Sequence, residues 1–142
     1  MTKVFRVLLV EDNEADAYLT RETLEAGKLP LEVAVATDGA EACDYLLRRA
    51  PFEVVALPDL VILDLNLPKL DGRQVLEERQ RHPWLRSIPV IILTSSDAEG
   101  DIRDSYALGA NCYVTKPVGL GAYQATVRAV EDFWLSVAEL PR

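Results

Sequence analysis

The amino-acid sequence predicts an α/β domain built around a parallel β-sheet. Short, nearly continuous apolar runs alternate with longer segments of helical periodicity, in a β-α pattern that repeats five times. Strands that are apolar on both faces are typical of parallel sheets covered by helices on each side and joined by right-handed crossovers. With 142 residues, the chain is long enough for one such domain with its own core.

The predicted strands share a high content of aliphatic and β-branched residues and stop at polar residues or prolines. The first strand ends directly before Glu11 and Asp12, and the third lies between Pro58 and Pro68. An apolar run as short as the third favours a buried strand over an amphipathic helix. The predicted strands are residues 4–10, 31–36, 60–65, 90–93 and 111–115.

The predicted helices carry local start and stop signals. The first stops at Gly27, Asp38 is a candidate N-cap of the second, and the fourth ends at Gly109. Asp71 and Gly72 form a turn that starts the third, which closes near Pro83. The predicted helices are residues 14–26, 39–49, 72–81, 98–108 and 120–137.

The last predicted helix has more apolar surface than the sheet requires. One stripe is sufficient to cover the sheet, and it consists of Leu120, Tyr123, Val127, Val130, Trp134 and Val137. Ala129, Phe133 and Leu140 fall on an adjacent face. Two explanations stay open for these three residues: a wide core stripe, or a contact surface for a second copy or a partner.

Composition excludes several functional classes. The net charge of −8 argues against a nucleic-acid surface, and no apolar run approaches the length of a membrane span. The N-terminus lacks a signal-peptide cleavage site, and Cys43 and Cys112 lack metal-ligand spacing, so we expect a cytoplasmic protein with reduced thiols. With no linker or repeat, residues 1–142 are expected to form one domain, with a core of about 4–137 and no output domain.

Polar residues follow four of the predicted strands, where functional groups of such sheets gather. We expect Glu11, Asp12 and Asp64 to meet Thr94 and Lys116 at this edge. Three neighbouring carboxylates repel one another unless a cation is bound, and hard oxygen ligands without His or Cys favour Mg²⁺. Such a site can hold a phosphoryl group, and a carboxylate can be the nucleophile that accepts it.

Four motifs, in order along the chain, carry a family resemblance. They are V-E-D-N at 10–13, L-D-L-N-L-P-K-L-D-G at 63–72, L-T-S-S at 93–96 and Y-V-T-K-P at 113–117. With them the chain resembles the response-regulator receiver domains of two-component signalling over nearly its whole length. The resemblance implies the doubly wound, flavodoxin-like (βα)5 fold with five parallel strands in the order 2-1-3-4-5.

The resemblance also implies roles around a metal ion, Mg²⁺ or Mn²⁺. Asp64 matches the phosphoacceptor, and Asp12 matches the main metal-binding acid. Asn66 matches the position whose backbone carbonyl completes the metal shell. Glu11 is expected to contact the metal or one of its waters.

Four further positions match the catalytic and switching residues of the family. Lys116 is expected to pair with the acid when the site is empty and with the phosphoryl group when it is loaded. Thr94 is expected to turn towards the phosphoryl oxygens, and Tyr113 to swing inward when Thr94 moves. Pro117 suggests a cis peptide bond that fixes the loop of the lysine.

A finer resemblance lies in residues 109–117 and 131–141. These segments look like the stand-alone regulators partnered with phytochrome-type histidine kinases, although 118–121 is less acidic than expected. The implied function is phosphoryl acceptance from a sensor histidine kinase, with a bacteriophytochrome as the candidate, followed by a switch of a protein-binding surface. The downstream protein is unknown, and a homodimer is a further expectation. The implied chemistry is limited to the phosphorylation and dephosphorylation of the chain itself.

Other functions on similar chemistry or topology fit the sequence less well. A phosphatase of the haloacid-dehalogenase type needs an acid two residues after its nucleophile, where this chain has Asn66. A flavodoxin-like FMN site needs a Ser-, Thr- and Gly-rich first loop, where this chain has acids. A non-phosphorylated receiver would normally have lost Asp12, Asp64 or Lys116. His82 is the single histidine and lies at a helix end, so the phosphoryl group is expected from another molecule.

Overall fold

The computed structural model describes residues 4–141, and its centre is a sheet of five parallel strands. The strand order is β2-β1-β3-β4-β5, so the predicted order 2-1-3-4-5 is confirmed. The strands are β1 Phe5–Val10, β2 Leu31–Ala36, β3 Leu60–Leu63, β4 Val90–Thr94 and β5 Cys112–Thr115.

Helices connect the strands and cover both faces of the sheet. They are α1 Glu14–Glu25, α2 Gly39–Leu46, α3 Gly72–Gln80, α4 Pro83–Arg86, α5 Glu99–Ala107 and α6 Leu120–Asp132, followed by a π-helical segment, Phe133–Val137. None of the helices within residues 4–141 combines the length and apolar character that crossing a bilayer requires.

Alternation along the strands divides the core into two layers. Val7 and Leu9 of β1 point to the layer with α1 and α6, whereas Leu8 and Val10 point to the layer with α2 and α3. Residues of β3 and β4 alternate in the same way, which is why these strands are apolar throughout.

Side-chain caps fix the first turns of three helices. Asn13, Asp38 and Asp71 accept hydrogen bonds from backbone N–H groups at the starts of α1, α2 and α3. Asp71 forms a reciprocal capping box with Gln74. The predicted cap at Asp38 and the predicted turn at Asp71 are therefore confirmed, and both belong to the scaffold.

The end of the second helix differs from the sequence prediction. It was expected at Arg49, but α2 ends at Leu46, and Arg48 adopts a left-handed backbone with φ of 54°. The third helix closes shortly before Pro83, as predicted. Pro83 itself opens a short helix that was not predicted, α4, because proline is favoured in the first turn, where no N–H is needed.

The apolar stripe of the last helix also needs correction. Because α6 gives way to the π-helical segment after Asp132, the later side chains rotate relative to the α-helical pattern. Leu135 is consequently buried, whereas Val137 is 71% exposed. At the other end Leu120 is 63% exposed, so neither of the two terminal stripe residues contributes to the core.

A buried guanidinium ties α3 to the start of β4. Arg79 is 5% exposed and donates to the carbonyls of Ile88, Arg86 and Gly109. Burial lowers the pKa of Arg79 below its usual value. The side chain thus ties α3 to the segment before β4 and to the segment before β5.

Candidate functional site

The carboxyl edge of the sheet brings together the side chains that the sequence predicted there. Backbone hydrogen bonds extend one residue past the strands: Glu11 N to Ala36 O at 2.9 Å, Asp64 N to Val10 O at 3.0 Å and Lys116 N to Thr94 O at 2.7 Å. These bonds fix the Cα positions of the acids and the lysine. The predicted convergence of the strand ends is confirmed by the side-chain distances below.

The ammonium of Lys116 lies at the centre of the site. Its Nζ is 2.6 Å from Glu11 Oε1, 2.8 Å from Asp64 Oδ2 and 2.9 Å from Asp16 Oδ2. The lysine side chain is 7% exposed. Burial acts to lower the pKa of Lys116, but hydrogen bonds to the three carboxylates outweigh it and raise the pKa above its usual value. Lys116 is therefore a permanent cation.

Asp64 is a buried carboxylate with three hydrogen-bond donors. Besides Lys116, Thr94 donates its hydroxyl to Asp64 Oδ1 at 2.7 Å, and the Asn66 N–H donates to the same oxygen at 3.1 Å. Burial acts to raise the pKa of Asp64, yet the bonds from Lys116, Thr94 and Asn66 lower it below its ordinary value. Asp64 is thus ionised at neutral pH and available as a nucleophile.

Glu11 differs electrostatically from Asp64 although both contact the same lysine. Burial raises the pKa of Glu11 to about 7; the bond from Lys116 opposes this shift, and the charge of Asp64 adds to it. Glu11 Oε2 also accepts a bond from the Asn13 N–H at 3.2 Å. Two buried carboxyl groups at one ammonium therefore divide into a strong acid and a weak one.

Glu11, Asp12 and Asp64 could hold a metal ion together. Each offers one carboxylate oxygen, and these atoms lie within 4.8 Å of one another. Glu11 and Asp64 are buried, whereas Asp12 is exposed and leaves the site open to solvent. An all-oxygen set with an open side suits Mg²⁺ or Mn²⁺, which retain waters and accept phosphate oxygens.

The β4–α5 loop, which starts after Thr94, is held by a hydrogen bond from Tyr113. Beyond Thr94, the loop residue Ser96 accepts a bond through its carbonyl from the Tyr113 hydroxyl at 2.8 Å. Tyr113 is half-buried and packs against the α2–α3 layer. The aromatic residue thus already contacts the loop that begins at Thr94.

Sequence reasoning missed an ionic clamp on this loop. Asp101 of α5 is bonded to Arg73 of α3 and to the hydroxyl of Ser96. Arg73 and Asp101 are distant in sequence, and each resembles an ordinary surface charge on its own helix. No local pattern therefore indicates that they meet.

Sequence reasoning also missed Asp16. As an acid in the first turn of α1 it has the common role of complementing the helix N-terminus, and that interpretation hides a second contact. Its side chain, 32% exposed, reaches Lys116 100 positions away along the chain. The proximity of α1 to the end of β5 could be inferred only from the folded sheet.

The predicted cis bond before Pro117 is wrong. Within residues 4–141 the one cis peptide bond joins Ala50 and Pro51, so the Lys116–Pro117 bond is trans. The trans form is intrinsically favoured by about 0.5–1 kcal/mol for such bonds. The positive-φ residue of this loop is Gly119, with φ of 100°.

The three interface candidates have different environments. Ala129 is exposed, Phe133 is 51% exposed, and both line an apolar groove of about 440 Å³ beside the edge strand β5. Leu140 is half-buried and packs against the α1–α6 core layer. Of the two explanations left open for Leu140, this packing favours a wide core stripe.

Comparison with known proteins gives a consistent family match. The family model of the response regulator receiver domain matches residues 7–128. The chain is 42% identical over 135 residues to response regulator Rcp1 of Synechocystis sp. strain PCC 6803, which covers 95% of this chain and 92% of the relative.

Solved structures with the same fold cover nearly the whole chain. The structure resembles that of the phosphorylated cyanobacterial phytochrome response regulator RcpA, with a TM-score of 0.96 and 45% identity, covering 99% of this chain and 100% of that one. It also resembles the Mn²⁺-bound form of Rcp1, with a TM-score of 0.93 and 41% identity over 97% of this chain and 99% of that one.

Proposed function

The chain belongs to the response regulator receiver domain family, and we propose that Asp64 is its phosphoacceptor. The chain is a response regulator of two-component phosphorelay signalling. The assignment of Asp64 rests on its position. Its carboxylate is buried and ionised, 2.8 Å from Lys116 Nζ and 2.7 Å from the Thr94 hydroxyl. It also lies beside Glu11 and Asp12, with one carboxylate oxygen of each acid within 4.8 Å of the others.

Asp12, Asp64 and the backbone carbonyl of Asn66 would hold the divalent cation, and Glu11 would contact the ion or one of its waters. The acidic cluster fits Mg²⁺ or Mn²⁺, and the related Rcp1 has been solved with Mn²⁺ bound. When bound, the ion would add its positive charge to that of Lys116, and together they would neutralise the charge on the oxygens of the transferring group.

Phosphoryl transfer then follows from the positions of the side chains. A carboxylate oxygen of Asp64 forms the new bond to phosphorus, while the phosphorus–nitrogen bond of a phosphohistidine breaks and its electron pair stays on the imidazole. Lys116 and the Thr94 hydroxyl stabilise the charge on the phosphoryl oxygens. Water attack on the same phosphorus reverses the modification, so the reactions proposed for this chain are its own phosphorylation and dephosphorylation.

The signal leaves the site through the β4–α5 loop. Thr94 would move from Asp64 to the new phosphoryl oxygens, and Tyr113 would follow the loop through its bond to the Ser96 carbonyl. Thr94 pairs with Thr115 of β5, and the Tyr113 N–H donates to the Tyr106 hydroxyl of α5. The face formed by α5, β5 and the helix that follows β5, α6, is therefore the proposed output surface. The Arg73–Asp101 clamp lies at the start of α5 and would restrain the loop until Thr94 moves.

A phytochrome-type histidine kinase is the proposed donor. The support is the similarity to RcpA, itself a phytochrome response regulator, over almost the full length of both chains. A cytoplasmic location is part of this proposal, and two free cysteines fit a reducing compartment. The downstream partner would be a protein, because a chain of net charge −8 repels nucleic acid.

The phosphoacceptor assignment is tested by replacing Asp64 with Asn. Asp64→Asn should abolish labelling by a phosphorylated sensor kinase or by acetyl phosphate, whereas the matched change Asp38→Asn should label like the wild type. Asp38 is a helix N-cap, and asparagine is an equally good cap there. Labelling of Asp64→Asn at the wild-type level would reject the assignment.

We also infer that the face around Ala129 and Phe133 pairs two copies of the chain. Phe133 is exposed beside the apolar groove along β5, and strand edges with apolar neighbours favour association. Phe133→Asp should reduce the sedimentation coefficient towards that of a monomer. Val54→Asp is the control, because Val54 is 96% exposed in a different region of the surface. A wild-type protein that already sediments as a monomer would contradict this inference.

A further inference from the structure

Asp16 gives Lys116 a third carboxylate that positioning the lysine does not require. Glu11 and Asp64 already hold the ammonium at 2.6 Å and 2.8 Å, and the backbone of Lys116 is bonded to Thr94. Asp16 adds a contact at 2.9 Å from the side of α1. Its contribution is therefore negative charge rather than support.

The position of this charge is fixed by α1. The Asp16 N–H donates to the side chain of its N-cap, Asn13, at 2.9 Å, and its carbonyl accepts from the Thr20 hydroxyl at 2.7 Å. Thr20 in turn shares a hydrogen bond of 2.9 Å with the Tyr123 hydroxyl of α6. These bonds fix the backbone of Asp16, so its carboxylate stays within a side-chain length of this position.

The charge of the site makes Asp16 unfavourable for an incoming phosphoryl group. Three carboxyl groups, those of Glu11, Asp16 and Asp64, contact one ammonium, and Asp12 lies beside Glu11 and Asp64. A phosphoryl group brings further negative charge and needs Lys116 as its partner. Every unit of negative charge that stays close to Lys116 weakens that interaction, since the Coulomb energy rises as distance and effective dielectric constant fall.

We propose that Asp16 competes with the incoming phosphoryl group for the ammonium of Lys116, and so limits phosphorylation of Asp64. This inference rests on the proposed function of Asp64. Asp16 does not touch the reacting atoms: it acts on the reaction through Lys116 and sets how much of the lysine's charge the phosphoryl oxygens receive.

Acetyl phosphate is the suitable probe, because it removes any effect of kinase docking. The Asp64 carboxylate oxygen forms a bond to phosphorus, the bond from phosphorus to the acetyl oxygen breaks, and acetate leaves with the electron pair. At saturating Mg²⁺, Asp16→Asn should raise kcat/KM for this reaction about tenfold, the scale expected for one charge removed at contact distance. The increase in kcat/KM should come mainly from a lower KM, because the donor is an anion entering a less acidic pocket.

Matched variants separate this effect from general electrostatics and from helix stability. Glu14→Gln removes the same charge from the same first turn of α1, but Glu14 is exposed and has no contact with Lys116. Both changes remove one negative charge from the first turn of the helix, where negative charge is stabilising. Glu14→Gln should leave KM unchanged, and Asp16→Glu, which keeps the charge, should stay close to the wild type.

Three outcomes would overturn the inference: an unchanged or lower kcat/KM in Asp16→Asn, an equal gain in Glu14→Gln, or a gain that Asp16→Glu also shows. Asp16→Ser provides a second neutral variant in case Asn destabilises α1, which a urea unfolding curve would reveal. Failure of the underlying function has a different signature, because wild-type protein would then take up no phosphate on Asp64 at all.

Discussion

The ammonium of Lys116 and the carboxylate of Asp64 form an ion pair at 2.8 Å, and both side chains are 7% exposed. Removing two charges from water is costly, and a single pair rarely compensates for that cost. Here one cation serves three carboxylates, so the lysine stabilises an acidic cluster rather than a single partner. The ion pair therefore determines both the stability of the empty site and its chemistry.

Replacing Lys116 with Met should lower the free energy of unfolding by about 3 kcal/mol in EDTA, because it leaves buried carboxylates unpaired. Urea titration measures the change. Mg²⁺ should restore part of the loss, since a divalent ion supplies the missing positive charge. The control is Lys28→Met at an exposed position. Equal stability of the two variants would show that the buried lysine does not stabilise the cluster.

The stability of the metal-free protein should fall as the pH rises from about 5 to 8. The pKa of Glu11 is raised to about 7, whereas that of the unfolded residue is about 4.3. Between these values the unfolded chain has lost a proton that the folded chain retains, so rising pH favours unfolding, by about 2.5 kcal/mol over this range. Asp64 has the opposite sign: its lowered pKa stabilises the fold above the unfolded value, and that contribution is lost in strong acid.

Urea unfolding in EDTA across this pH range provides the measurement. Glu11→Gln should flatten the decline, because glutamine has no proton to lose. If Glu11→Gln keeps the wild-type slope, another group causes the pH dependence.

The strands and the centre of the site could be predicted because their signals are local. A buried parallel strand is apolar throughout, and the acids, threonine and lysine that follow the strands must meet once the sheet is parallel. The motifs around Asp12, Asp64, Thr94 and Lys116 are short and continuous, so their positions did not depend on tertiary contacts.

The remaining features depend on contacts between distant segments. Asp16 reaches Lys116 and Arg73 reaches Asp101 only because α1, α3 and α5 pack at particular angles around the sheet. The rotation of the last helix at Phe133 is similar: an α-helical period predicts Val137 in the core, but after the π-helical segment Leu135 is buried and Val137 is exposed, whereas Trp134 stays packed against the core. The periodicity of the sequence indicates neither these side-chain contacts nor the rotation of the last helix.

Arg79 should be among the most sensitive positions outside the site. Its guanidinium is buried and donates to the carbonyls of Arg86, Ile88 and Gly109, which would lose their donors in Arg79→Met. We expect a loss of about 3 kcal/mol in unfolding free energy, the scale for buried hydrogen bonds to a charged group. Arg81→Met, at a side chain that is 66% exposed, should change it by less than about 0.5 kcal/mol. A similar effect for both would mean that the carbonyls find other donors.

Gly72 connects the packing of α3 to the position of the phosphoacceptor. A Cβ at this residue would lie 2.5 Å from the Asp64 carbonyl oxygen and 2.7 Å from Leu65 Cα, and both neighbours are backbone atoms that cannot rotate away. Gly72→Ala must therefore displace the loop after β3, and we expect a loss of about 2 kcal/mol in stability for such overpacking. Because the displaced segment carries Asp64, the rate of phosphorylation by acetyl phosphate should fall as well.

Gly100→Ala is the matched control, since a Cβ there meets no atom within 4 Å and Gly100 lies in helix α5. Alanine should stabilise that helix by up to about 1 kcal/mol without changing the phosphorylation rate. Thermal unfolding and acetyl phosphate kinetics on the two variants separate the possibilities. If Gly72→Ala loses stability but is phosphorylated by acetyl phosphate at the wild-type rate, the loop adjusts without moving Asp64. The close approach of Gly72 to the backbone after β3 then affects stability only.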